Sequence, residues 1–203
     1  VLFRSTNFDT ATGALEFIGS MLERNVEKGR TSREDAAKAI SNIQLVESIS
    51  ELAPCQIVIE AVVENLEVKN AVFREIEASV SADTIIASNT SSLSVTTIAA
   101  ACERPERIAG MHFFNPVPLM KLVEVINGVC TAPHVVDVLM DLGKRMTRTP
   151  VHVRDAPGFL VNQVGRGYNI ECAHIASDGV ASYAKIDRIC REAVGFRMGP
   201  FEL

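Results

Sequence analysis

Residues Gln56–Glu64 read QIVIEAVVE, and NLEVKNAVFREIEASV follows from Asn65 to Val80. The first stretch is a nearly continuous β-branched run, the pattern of a strand buried on both faces of a parallel sheet. The second is expected to be a helix. The same alternation continues with TIIASN (84–89) as strand, SVTTIAAAC (94–102) as helix, RIAGMHFF (107–114) and KLVEVI (121–126) as strands, APHVVDVLMDLGKRM (132–146) as helix and PVHV (150–153) as strand. Strands separated by helices of about 10–15 residues imply crossover units, hence a doubly wound α/β sheet.

Working outward, VLF at the start resembles the tail of a strand, and the segment 13–29 places Leu15, Ile18, Leu22 and Val26 on one helical face before Gly29 stops it. A second helix is expected from Ser32 to Asn42. Beyond Asp155 the pattern changes: 157–179 and 182–196 read as helices, with Pro157 and Gly158 as the hinge. The expected organisation is an α/β domain over 1–155 and the start of an all-α domain over 156–203. MGPFEL (198–203) opens a further helix. The chain is expected to be an internal piece of a longer protein.

Ligands of open α/β sheets bind beyond the carboxyl ends of the strands. Three polar clusters fall at such ends: EAVVEN (60–65), SNTSS (88–92) and HFFNP (112–116). A helix cap accounts for one hydroxyl of the second cluster, whereas its run of Ser, Thr and Asn side chains also suits a polar ligand. His112 and Glu124 lie on adjacent expected strands, joined by a loop stiffened by Pro116 and Pro118. A carboxylate on one imidazole nitrogen fixes the tautomer and leaves the other nitrogen to take up a proton, which is what a general base requires. Spacing alone favours a core histidine bonded to a carbonyl. His134, His152 and His174 occupy a helix start, an outward strand position and a helix.

The 203 residues are 47% hydrophobic with a formal charge of −5 and no basic block, which argues against nucleic acid and against a polybasic membrane contact. A small ligand is expected instead, in the cytoplasm or an organelle matrix. The five cysteines are odd in number and form no C-x-x-C pair, so neither a disulfide framework nor a zinc site is indicated; thiols filling apolar space are expected. No metal site is expected.

Taken together and in this order, VIEAVVENLEVKNAVF, ASNTSSLSVT, GMHFFNPVPLMKLVEVI, APGFLVN and GFRMGPFEL closely resemble the L-3-hydroxyacyl-CoA dehydrogenases, from about Ala14 onward. The resemblance implies a Rossmann-type NAD-binding domain and an acyl-CoA substrate. It makes His112 the general base that takes the 3-hydroxyl proton while hydride leaves C3 for nicotinamide, and Glu124 its orienting carboxylate. Ser91 would contact both the reacting oxygen and the cofactor, and Asn162 the substrate carbonyls. Glu64, Lys69 and Asn115 match cofactor-contacting positions, and Lys28 aligns with a basic residue that touches coenzyme A, with a solvated surface lysine as the alternative reading. A homodimer formed through the helical domain is implied, and the ending EAVGFRMGPFEL is closer to the 3-hydroxyadipyl-CoA branch of aromatic-acid breakdown than to the butyryl branch.

Three departures stand out. The glycine-rich nucleotide fingerprint is absent, since GRGYNI (165–170) lacks the third glycine and lies in an expected helix, so the isolated chain is expected to be inactive. Arg4 and Ser5 stand where an acidic residue holds the adenosine ribose; an arginine there suits the 2′-phosphate of NADP, but NAD is the expectation. Gln163 replaces the arginine that commonly follows the motif asparagine. The competing readings are a non-catalytic relative, as when this fold serves as a lens crystallin, and a hydroxyacid dehydrogenase with a lysine base. The presence of His112, Glu124, Ser91 and Asn162 counts against the first. The second lacks a suitably placed lysine in the helical region.

Overall fold

The computed structural model describes residues 1–202. Its centre is a five-stranded sheet in the order β3 (Ile57–Glu60), β4 (Ile85–Ser88), β5 (Ile108–Phe113), β6 (Leu122–Asn127) and β7 (Thr149–Arg154). β3, β4 and β5 are mutually parallel, β6 runs antiparallel to β5, and β7 is parallel to β6. A separate parallel pair joins β1 (Leu2–Phe3) to β2 (Gln44–Leu45). Helices α1 (Phe8–Glu27), α2 (Arg33–Ser41), α3 (Leu66–Ser79), α4 (Val95–Ala99), α5 (Pro133–Arg145), α6 (Val161–Ser177) and α7 (Tyr183–Ile189) complete the chain, with a π-helical turn at Cys190–Val194.

Side chains alternate across a strand, so each strand feeds two cores. Val58, Ile86 and Ile108 meet Phe73 and Ile76 of α3 and Ile98 of α4 on one face. Ile85, Ala87, Ala109, Met111, Val123 and Val125 meet Val135, Val136 and Leu139 of α5 on the other. This is the expected doubly wound architecture, with helices on both faces of a mostly parallel sheet.

Several local expectations need correction. β3 stops at Glu60 instead of Glu64, because the Glu60 carboxylate accepts the Val62 N–H and turns the chain out of the ladder. Nor is β3 buried on both faces: Ile59 is 38% exposed, since α5 covers β5 to β7 and not this edge strand. α1 begins at Phe8, before the segment expected from periodicity, because Asn7 caps it through the Asp9 N–H. α4 is confined to Val95–Ala99, and α6 starts at Val161 after a turn at 157–160. The helix expected over 182–196 is α7 followed by the π-helical turn, ended by Gly195 at φ +84°. A turn occupies Pro200–Phe201 where MGPFEL was expected to open a helix; Leu203 of that segment lies outside the described residues. Of the cysteines, Cys172 and Cys190 are buried as expected of core thiols, Cys55 and Cys102 partly so, and Cys130 is exposed.

Gly110 in β5 is required by packing. A Cβ there would lie 2.9 Å from Ile126 Cδ1 and 2.9 Å from Val95 Cγ2. Gly110→Ala is therefore expected to lower the unfolding free energy by about 1–3 kcal/mol, the cost of an overpacked core. Urea unfolding of the variant beside the parent measures it, and equal midpoints would contradict the packing assignment.

Candidate functional site

Antiparallel pairing sets His112 directly opposite Glu124. Opposed residues point to the same face of a sheet, so the two side chains meet by register alone. His112 Nδ1 lies 2.8 Å from Glu124 Oε2, with His112 3% and Glu124 0% exposed. A carboxylate only accepts, so the proton of this bond sits on Nδ1. In the neutral ring Nε2 would carry the lone pair, and it has no hydrogen-bond partner among the described residues. The rings of Phe114 and Phe159 flank the imidazole at centroid distances of 4.5 and 5.7 Å.

The second part of the site is the loop after β4. Ser88 Oγ donates to Glu60, the Asn89 side chain accepts the Phe113 N–H, and Thr90 Oγ1 donates to Glu64 and accepts the Leu93 N–H. Ser92 donates to Glu64 through both its N–H and its hydroxyl, and Ser94 caps α4 and donates to Asp155. Ser91 alone keeps a hydroxyl without a partner among the described residues, and it is exposed. Most of the polar run thus builds the loop, and one hydroxyl is left facing outward. Asn162 Nδ2 contacts Ser91 O at 3.4 Å, bringing the start of α6 to the same loop.

Beneath the loop lies an ionic cluster in which Lys69 and Glu60 are buried and Glu64 is exposed. Lys69 Nζ is 2.8 Å from Glu60 Oε1 and 3.4 Å from Glu64 Oε2, and also donates to Val62 O. Lys69 is 1% exposed. Its ammonium is fully occupied as a strut beneath the loop. Glu64 Oε1 accepts the Ser91 and Ser92 N–H groups at 2.9 and 3.0 Å. Burial alone would raise the Glu64 pKa, but the Thr90 hydroxyl, the two N–H groups and the Lys69 charge outweigh it and lower it to about 2. Asp155 is likewise held below its ordinary value: burial opposes this, and the bonds from Thr96 and Ser94 prevail.

The remaining candidates are more peripheral. Asn115 is exposed on the loop after β5, and Lys28 is exposed at the end of α1. A groove of about 850 Å³ between α1 and α2, lined by Leu22, Val26, Ala36 and Ile40 among others, includes none of the residues above. Sequence reasoning missed Glu60 and Asp155. A carboxylate inside a β-branched run was the available sign of the first, since such a group is almost never fully buried unless paired.

Nearly the whole chain finds its counterpart in one family. Residues 1–156 match the model of the 3-hydroxyacyl-CoA dehydrogenase NAD binding domain, and residues 158–203 match that of the C-terminal domain. The chain belongs to the 3-hydroxyacyl-CoA dehydrogenase family. It is 40% identical over 203 residues to the 3-hydroxyadipyl-CoA dehydrogenase of Escherichia coli K12, covering all of this chain and 43% of that protein. It is 38% identical over 195 residues to the 3-hydroxybutyryl-CoA dehydrogenase of Clostridioides difficile, covering 94% of this chain and 69% of that one. A crystal structure of a 3-hydroxybutyryl-CoA dehydrogenase from E. coli K12 superposes with a TM-score of 0.94 at 40% identity, over 98% of this chain and 42% of that one.

In this member of the family, the Glu64 clasp gives a pH signature. The folded pKa is depressed, so its contribution to holding the loop is fully present above the ordinary glutamate value and is lost as pH falls towards about 2. In an NMR titration, the Ser91 and Ser92 amide signals are expected to hold their positions through the ordinary glutamate range. A midpoint inside that range would contradict the clasp.

Proposed function

We propose that the protein is an NAD-dependent L-3-hydroxyacyl-CoA dehydrogenase in which His112 is the general base. The observation that carries this is the buried His112–Glu124 pair with an unpartnered Nε2, at the lip of a sheet whose sequence matches an NAD binding domain. Residues 1–155 are the NAD-binding domain, and 156–203 begin a helical substrate domain. Bound NAD supplies the hydride acceptor. The residues present fit part of a dinucleotide: the polar ends of β3, β4 and β5 stand where ligands of such sheets bind, and Ser91 keeps a hydroxyl without a partner among the described residues.

In this reading His112 Nε2 takes the proton of the 3-hydroxyl, and Glu124 holds the ring and balances the charge it gains. Ser91 orients the reacting oxygen and the cofactor. Asn162, already on the serine loop, presents its amide to the substrate carbonyls. Glu64 and Asn115 are cofactor contacts, with Lys69 supporting Glu64 from beneath. Lys28 contacts the coenzyme A portion.

A dicarboxylic acyl group such as 3-hydroxyadipyl is the preferred substrate; the similarity to the E. coli enzyme of that name supports it. A 3-hydroxybutyryl group is the second reading, supported by the C. difficile relative. The protein acts as a cytoplasmic homodimer. Exposed apolar side chains on and after α6, including Val164, Ile170 and Val180, support an association through the helical region.

The test follows NADH absorbance with 3-oxoadipyl-CoA and acetoacetyl-CoA, using the protein in its natural full-length form. His112→Ala is expected to lower turnover by roughly 10² or more, the scale of a lost general base. A variant with undiminished rates would end the assignment.

A further inference from the structure

Glu124 has two oxygens, and His112 takes only one. Oε1 accepts the backbone N–H groups of Leu160 and Val161, each at 2.9 Å. These donors belong to the start of α6, not to the sheet. The helix has no side-chain cap of its own, since Leu160 stands at its N-cap position. A helix start carries unsatisfied N–H groups and partial positive charge, and here a carboxylate 36 residues away in sequence serves as the cap.

The approach to this contact is unusual. Gly158 and Phe159 both have left-handed backbone, at φ +78° and +50°. A bulky residue rarely adopts that conformation. The turn aims the two N–H groups at Glu124 and buries the Phe159 ring beside the imidazole. The next residue, Asn162, reaches the serine loop. Three consecutive residues therefore bind the carboxylate on one side and the loop of Ser91 on the other.

We infer that the first turn of α6 is a positioning element for the base. The Leu160 and Val161 N–H groups fix the Glu124 carboxylate and, through it, the imidazole, so the proton-accepting arrangement exists only while α6 is docked on β6. This rests on the reading of His112 as general base. Moving α6 disarms the site without touching substrate or cofactor.

The test replaces the Val161 N–H with an ester oxygen, by incorporating the α-hydroxy analogue of valine at 161 in the natural full-length protein. The same exchange at Gln163, whose N–H makes no bond to Glu124, is the control. The 161 ester is expected to lower kcat about tenfold, the effect of a charge-assisted hydrogen bond felt in the transition state. The KM values for NAD and acyl-CoA should match those of the control, while the Tm should fall below it, since the buried carboxylate loses one donor. A kcat equal to that of the 163 ester, or a rise in KM in place of a fall in kcat, overturns the inference.

A second readout works without turnover. The His112 Nδ1–H proton is expected to exchange with solvent faster in the 161 ester than in the control, and equal exchange rates overturn the inference. If the unmodified protein fails to oxidise 3-hydroxyacyl-CoA, the proposed function falls, and the exchange comparison still decides the positioning role.

Discussion

The site depends on a carboxylate with no exposure to water and no permanent cation beside it. Burying such a charge is costly unless hydrogen bonds replace its hydration. Glu124 meets that demand with three donors, the His112 Nδ1–H and the Leu160 and Val161 N–H groups. Each donor belongs to a different part of the chain, the first to β5 and the others to the turn and first residue of α6. Satisfying one buried charge thus joins the sheet to the helical segment, and fixes the imidazole tautomer that leaves Nε2 able to accept a proton.

A second charge cluster does comparable work a few residues away. Lys69 offsets the charge of Glu60, and in part that of Glu64, beneath the loop that carries Ser91. Removing one partner of such a cluster leaves an uncompensated charge, which is far more damaging than the modest net gain of the intact pair suggests. The cluster therefore acts as a constraint on shape: Glu64 gathers the Thr90, Ser91 and Ser92 donors, and Ser91 is the hydroxyl left over. The chemistry and its scaffold use the same residue types in one short segment, separated by which donors already have partners.

Much of this was legible in the residues. The β-branched runs and the spacing of helices gave the layered sheet, because burial on a pleated surface selects those side chains directly. His112 and Glu124 were legible as a pair because a short proline-bearing loop between two strands makes an antiparallel neighbour. What stayed hidden depends on contacts distant in sequence. Whether Ser91 or Ser92 keeps a free hydroxyl turns on Glu64, 27 and 28 residues away. Lys69 matched a cofactor position by resemblance, yet its ammonium is enclosed by protein acceptors. The second contact of Glu124 needs two left-handed residues in a row, which Gly158 hints at and Phe159 conceals. Strand β3 looked buried on both faces because a run of β-branched residues cannot reveal that its strand lies at the edge.

The most direct test of the account is the tautomer of His112, read from its ring-nitrogen chemical shifts by ¹⁵N NMR with the histidines isotopically labelled and His112 assigned by substitution. The account predicts a neutral ring protonated at Nδ1, with Nε2 giving the shift of an unprotonated nitrogen, and loss of that preference in Glu124→Ala. A neutral ring protonated at Nε2 would contradict it, because no lone pair would remain at Nε2 to accept a proton.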